Sequence, residues 1–230
     1  MVLPEVSIAD INYTATVADD RESATIVAYV TFTNDGSSSA PAGSAQVTLC
    51  SRGPPTPAHN RSLVPDSCQG QSILASNTVH FSGLAAGSQT TVTSTFSVQN
   101  TDKQPLRLWD PEHPHLHTLQ VDLGDTQQSA IRLGIREVKL QGNEMLVNGR
   151  PIKGRGTTRH ETHPFFGRSL WNVAPVGGQW ERDILAFRDL NINWIRTSHY
   201  VSSSAKTLRL PSAWMGGCEL SAIGRPDWIL

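Results

Sequence analysis

From Ala24 to Thr33 the side chains alternate with a period of two. Ile26, Ala28, Val30 and Phe32 fall on one face, and Thr25, Val27, Tyr29, Thr31 and Thr33 on the other. That spacing predicts a strand with one face for a core and one for solvent. Ala45, Val47 and Leu49 repeat it, as do Leu119, Val121 and Leu123. Val92, Phe96 and Val98 do so again, with Ser94 interrupting the apolar set. Val6 to Val17, Ser72 to Phe81 and Ala130 to Leu140 are further strand candidates. The stretches between them, Asn34 to Ser39, Gly53 to Pro57 and Ala85 to Ser88, have turn and loop compositions. The Pro-rich run from Arg52 to Asp66 is long for a hairpin and reads as a surface excursion. About seven short strands punctuated in this way predict an immunoglobulin-like antiparallel β-sandwich over residues 5–135.

The pattern changes near Arg136. Val138 and Leu140, then Met145, Leu146 and Val147, are separated by Gln141-Gly142-Asn143 and followed by Asn148-Gly149. Asn-Gly tolerates positive φ at both positions, so a small hairpin leading into Pro151-Ile152 is expected. Between Gln179 and Leu190, the residues Trp180, Ile184, Phe187 and Leu190 share one helical face. Ile192 to Thr197 then reads as a buried strand. Strand, helix, strand is the repeating unit of a parallel barrel, so residues 136–200 are expected to hold the hairpin and the first βα units. A complete barrel needs about 250 residues, and fewer than 100 follow Arg136. Residues 201–230 contain Pro211, Gly216-Gly217, Gly224 and Pro226 without periodicity and give no fold reading. The expected class is therefore mainly β, a sandwich followed by an incomplete (β/α) barrel segment.

Composition narrows the function. The 230 residues carry a net charge of −1 and only 17% charged side chains, with no clustered basic face of the kind nucleic acid requires. No apolar run reaches the length of a membrane span. The first residues, Met1 to Glu5, lack signal-peptide features, which favours a cytoplasmic location and gives little weight to the sequons at Asn12 and Asn60. Three cysteines cannot all pair within one chain. Cys50 and Cys68 can meet across the Pro-rich loop, but buried or idle thiols are the expectation for a reducing compartment.

Candidate chemistry lies in two runs, Arg159-His160-Glu161-Thr162-His163-Pro164 and Arg196-Thr197-Ser198-His199-Tyr200. Each ends a strand-like segment with basic and imidazole groups on the exit loop, where the open end of an α/β barrel presents groups to a polar ligand.

These residues resemble glycoside hydrolase family 2. Leu108-Trp109-Asp110-Pro111-Glu112-His113-Pro114-His115-Leu116 resembles the end of that family's immunoglobulin-like domain. Gly134-Ile135-Arg136-Glu137 and Leu146 to Ile152 are similar to its lead into the barrel, and Arg155-Gly156 with the two runs above to the first and second barrel strands. The His-Pro pair after Glu161 leans toward the β-galactosidase branch over the β-glucuronidase branch. The resemblance implies a retaining hydrolase of β-linked sugars in carbohydrate metabolism; separately, no cofactor and no metal are expected. Its two catalytic glutamates match no motif in this chain, so no residue is assigned as catalytic and the chain by itself is expected to be inactive. His160, Arg196 and His199 are implied to contact the sugar, while Glu161 supports the first strand. The implied partner is a β-linked sugar in the complete enzyme, where a homo-oligomer is also admitted. Neither nucleic acid nor membrane is expected as a partner.

Plainer readings compete. His160 and His163 are three apart on an apparent loop, whereas the helical zinc motif needs histidines four apart. His113, His115 and His117 alternate, so a strand would align them for a soft metal. The family's frequent tyrosines at the last two positions make half-exposed packing the simpler account. Of the tryptophans, Trp109, Trp171, Trp180 and Trp194 are candidate sugar platforms, although Trp180 and Trp194 fall at core positions. Ser198 lacks the turn that exposes a nucleophilic serine. The alternative for the whole chain is a non-catalytic β-sandwich module that binds carbohydrate or protein.

Overall fold

The computed structural model describes residues 5–51, 67–102, 104–159, 183, 186, 187 and 189–197. Twelve strands run in chain order: β1 (Val6–Val17), β2 (Ser23–Asn34), β3 (Gly43–Ser51), β4 (Ser72–Phe81), β5 (Gln89–Gln99), β6 (His117–Leu123), β7 (Gln127–Leu133), β8 (Val138–Gln141), β9 (Glu144–Val147), β10 (Arg150–Ile152), β11 (Gly156–Arg159) and β12 (Trp194–Thr197). The chain forms two compact units. The first comprises Met1–Trp109, His115–Lys139 and Leu146–Arg150, and the second Asp110–Pro114, Leu140–Met145 and Pro151–Leu230.

Within the first unit β1-β2-β5 form one antiparallel sheet and β4-β3-β6-β7 another. The sheets meet through the inward faces that the alternation marks. Ile26, Ala28, Val30 and Phe32 of β2 are fully buried, as are Val47 and Leu49 of β3 and Leu119 and Val121 of β6. Phe32 stacks on Phe81 with ring centroids 4.5 Å apart. Burying one such side chain contributes about 1.5–3 kcal/mol, so this interior holds the two sheets together. Ser94, the polar break in β5, is buried without penalty because Asn77 Nδ2 donates to its hydroxyl at 3.1 Å.

At one end of the sandwich Asn34 is fully buried. Its Nδ2 donates to the carbonyls of Ser38 (2.8 Å), Leu84 (3.0 Å) and Ala85 (3.3 Å), and its Oδ1 accepts from the Gly36 N–H at 2.9 Å. One side chain thus ties two loops together beside their Ala40–Leu84 bridge. Asn34→Ala would remove these four bonds from a fully buried site, and a loss of about 2 kcal/mol in urea unfolding is expected.

The outer face of the second sheet is covered where a solvated face would be expected. Thr48, Cys50, Thr118 and Gln120 point away from the core yet are buried. The segment Ser67–Gln71 lies over them. Cys68 N–H donates to Gln120 Oε1 at 2.7 Å, and Gln71 Nε2 to Thr118 Oγ1 at 3.3 Å. A Cys50–Cys68 disulfide fastens this strap, with Cα atoms 5.7 Å apart. The expectation of idle thiols is therefore corrected: the Ser67–Gln71 segment folds over β3 and brings Cys68 into bonding range of Cys50, which spacing along the chain could not decide. The bond closes a loop of 18 residues in sequence separation. Because hydrogen bonds to Gln120 and Thr118 also hold the strap, the expected cost of reduction is about 2 kcal/mol, the low end for such a loop. Denaturation midpoints with and without reductant measure it.

The predicted strand from Ala130 to Leu140 is divided. β7 ends at Leu133, and Gly134 to Glu137 leave the sheet to pack against Trp109, which is fully buried. A Cβ on Gly134 would lie 2.8 Å from Trp109 Cγ, so only glycine lets the chain pass. The Arg136 guanidinium carbon stands 4.1 Å from the centroid of the Trp109 ring. Trp109 N–H donates to Ile135 O at 3.0 Å, and Asn148 Nδ2 donates to Trp109 O at 2.9 Å. Asn148 also exchanges bonds with Glu137, its N–H to Glu137 O and its Oδ1 from Glu137 N–H, both at 2.9 Å. Such complete burial rules out Trp109 as a sugar platform.

β8, β9 and β10 form a three-stranded sheet in the order β10-β9-β8. The Asn-Gly turn joins β9 to β10 with φ of 51° at Asn148 and 74° at Gly149, as the dipeptide predicts.

Candidate functional site

The second unit contains the strands that carry the two candidate runs. β11 and β12 pair in parallel, with Gly156 opposite Trp194, Thr157 opposite Ile195, Thr158 opposite Arg196 and Arg159 opposite Thr197. Several polar side chains fix this register. Asn193 Oδ1 accepts from Arg155 N–H at 2.7 Å, its Nδ2 donates to Lys153 O at 3.1 Å, and its N–H donates to Arg155 O at 3.0 Å. Arg155 in turn reaches Asn191, with Nε donating to the backbone oxygen at 2.9 Å and Nη2 to Oδ1 at 3.1 Å. Gly156 lets the strands close, since a Cβ there would meet Trp194 Cδ1 at 3.3 Å.

Asn191 has φ of 57° and terminates the helical turn before β12. Asp183, Ala186, Phe187 and Asp189 are helical. Ile192 N–H donates to Phe187 O at 2.8 Å, the six-to-one bond of a Schellman cap, and Leu190 N–H to Ala186 O at 3.0 Å. Leu190, grouped by its spacing with the apolar helical face, is 72% exposed. It stands at the cap, where the chain has begun to turn away from the helical course that put it in register with Phe187. Trp180 and Ile184 lie outside the described residues.

The parallel, in-phase register brings both strands out at the same end. Arg196 is exposed on β12, one residue before that end. His160 follows the last residue of β11 directly and His199 comes two residues after β12, but both lie outside the described residues, as do Glu161, His163, Trp171 and Ser198. In a parallel barrel the ligand end is the one where strands terminate, so this is the end at which a site would be built. Sequence spacing alone did not mark Asn193 as the residue that sets this register. The signal available was two asparagines bracketing Ile192 between a helix and a strand, one suited to the left-handed cap and one to bonding a neighbouring backbone.

The histidine alternation does not make a ligand row. β6 begins only at His117, so His113 and His115 precede the strand. His113 is exposed with Nδ1 3.2 Å from Asp110 Oδ1, while His117 is 2% exposed. Among the described residues no group of three or more His, Cys, Asp or Glu is placed to hold a metal. None of their helices is long and apolar enough to cross a membrane.

A two-sheet antiparallel β-sandwich and, later in the chain, a pair of parallel strands preceded by a helical turn define the class of the described residues. Comparison with known proteins supplies the family. Residues 66–136 match the model of the glycosyl hydrolases family 2, and residues 138–210 match the family 2 TIM barrel domain. Together these cover more than half of the sequence, and the chain belongs to glycosyl hydrolase family 2. A β-galactosidase of Staphylococcus xylosus is 38% identical over 96 residues, which are 42% of this chain and 9% of that protein. Among solved structures, Bacteroides uniformis β-glucuronidase 2 superposes with a TM-score of 0.68 at 20% identity, covering 94% of this chain and 24% of the other. A family 2 β-galacturonidase from Eisenbergiella tayi gives 0.65 at 22% identity, covering 96% of this chain and 32% of the other. At these identities the structural likeness establishes the fold. The chain spans a third or less of the length of these relatives.

Proposed function

We propose that this chain is the sandwich and barrel-opening portion of a retaining glycosidase for β-linked sugars, of β-galactosidase type. In this reading residues 5–135 are the sandwich, residues 136–200 are the hairpin and first βα units, and His160, Arg196 and His199 grip the sugar. The observation that supports it is the in-phase parallel pairing of β11 with β12, whose last residues, Arg159 and Thr197, pair with each other and belong in sequence to the two basic, imidazole-rich runs. Guanidinium and imidazole suit sugar hydroxyls, because together they donate and accept in fixed directions. The bond-breaking step needs a nucleophile and an acid/base carboxyl about 5 Å apart. Neither is assigned to any glutamate of this chain, so the chain supplies binding and orientation only.

Two results test this. The purified chain is expected not to turn over a nitrophenyl β-galactoside; turnover that His199→Ala abolishes would overturn the reading. Grafting residues 136–200 into the equivalent stretch of a complete family 2 β-galactosidase should preserve its activity. In that chimera Arg196→Ala is expected to lower kcat/KM by roughly 10–100-fold, the range for losing one charged hydrogen bond to substrate. An unchanged kcat/KM would remove Arg196 from the site.

A further inference from the structure

Asn12 faces outward only because β1 carries an extra residue. Ile8 pairs with Phe32 but Asp10 pairs with Thr31, which leaves Ala9 as a bulge. Unbroken alternation from buried Ile8 would turn Asp10, Asn12 and Thr14 into the core. The bulge reverses the parity, and all three are exposed. β1 is also an edge strand of its sheet. Asn12-Tyr13-Thr14 is an N-glycosylation sequon, and its acceptor asparagine and its threonine share this open face. Asn12 Oδ1 accepts from the Tyr13 N–H at 2.8 Å, so that bond engages the amide through its oxygen and not through Nδ2.

Two further observations concern a glycan. Asn12 sits directly opposite Tyr29, the aromatic residue at the centre of the outward face of β2. Side chains so paired have Cβ atoms about 4.5–5.5 Å apart, close enough for a sugar on one to lie over the ring of the other. Independently, the Cys50–Cys68 disulfide is of a kind that forms and persists in oxidising compartments. In eukaryotes the secretory pathway is such a compartment and is also where sequons are modified.

We propose that Asn12 is an N-linked glycan acceptor and that Tyr29 is the platform for its first sugar. Asn12 Nδ2 would attack C1 of the first N-acetylglucosamine of a lipid-pyrophosphate-linked oligosaccharide. The N–C1 bond forms as the C1–O bond to phosphate breaks. The lipid pyrophosphate leaves with the electron pair, and Nδ2 gives up one proton. The apolar face of that sugar then packs on the Tyr29 ring.

The test is to express the full chain behind a cleavable secretion leader in a eukaryotic host and map glycopeptides in the secreted and cell-retained pools together. Occupied Asn12, converted to Asp by peptide N-glycosidase and lost in both Asn12→Gln and Thr14→Ala, is the expected result. The glycosylated chain is expected to have a higher Tm than the enzymatically deglycosylated one, and Tyr29→Ala should keep occupancy while removing that difference. An unmodified Asn12 peptide in both pools, or sugar confined to the Asn60 sequon, would overturn the acceptor assignment. A Tm difference that survives in Tyr29→Ala would overturn the platform.

Discussion

Trp109→Ala is expected to lower the unfolding free energy of the sandwich by about 4 kcal/mol, the usual cost of deleting a large buried aromatic side chain. Trp109 is fully buried, and the surrounding backbone is held in place by bonds that the substitution leaves intact. Ile135 O still receives the residue 109 N–H, and Asn148 Nδ2 still reaches its carbonyl. With those anchors fixed the cavity cannot collapse, and cavity cost grows with the volume left open. Arg136, 8% exposed, would also lose the ring face beneath its guanidinium. Trp109→Phe keeps an aromatic face and should cost about half as much. Urea unfolding of the three proteins measures both. Since small domains are stable by only about 5–15 kcal/mol in total, the alanine variant should unfold far earlier. A loss below about 1 kcal/mol would show that this junction is not a stabilising node.

The second large effect is an acid-dependent loss of stability centred on His117. Burial, followed by the charges of His115 and Arg107, pushes its imidazole down from 6.5 to about 4. Its Nδ1 has no hydrogen-bond partner among the described residues, so nothing there rewards protonation. The unfolded chain takes up a proton near pH 6.5, whereas the folded chain resists until about pH 4. Stability from keeping His117 neutral is therefore fully present above pH 6.5 and lost as pH falls toward 4. A depression of this size corresponds to about 3 kcal/mol. Unfolding free energies across that window should fall with decreasing pH, and His117→Gln should remove most of the slope. An identical slope in His117→Gln would assign the acid sensitivity elsewhere.

Why some elements were legible and others were not follows from where their constraints lie. β2 is read directly from Ala24 to Thr33 because one strand face meets a core and the other meets solvent, so each residue reports its own environment. The Asn148-Gly149 turn is equally local, since positive φ is a property of those two residues. The break between β7 and β8 is not local. Gly134 leaves the sheet because Trp109, 25 positions earlier, occupies the space where a Cβ would go. The outer faces of β3 and β6 mislead in the same way: Thr48 and Gln120 are polar and alternate correctly, yet a strap from beyond the Pro-rich loop buries them. Of the candidate site, Arg196 is exposed on β12, one residue before that strand ends, whereas His160 and His199 fall outside the described residues.

By itself the amino-acid order determined the repeating units: strands of period two, an Asn-Gly turn, a strand after a helical turn, and two basic motifs resembling one enzyme family. It could do so because periodicity and turn chemistry act over a few neighbouring residues. Only the tertiary structure decided that Cys50 bonds Cys68, that Trp109 is a buried anchor, that Ala9 turns Asn12 outward, and that β11 and β12 leave side by side. Those outcomes depend on which distant segments share the same few ångströms. Sequence spacing does not carry that information, and packing does.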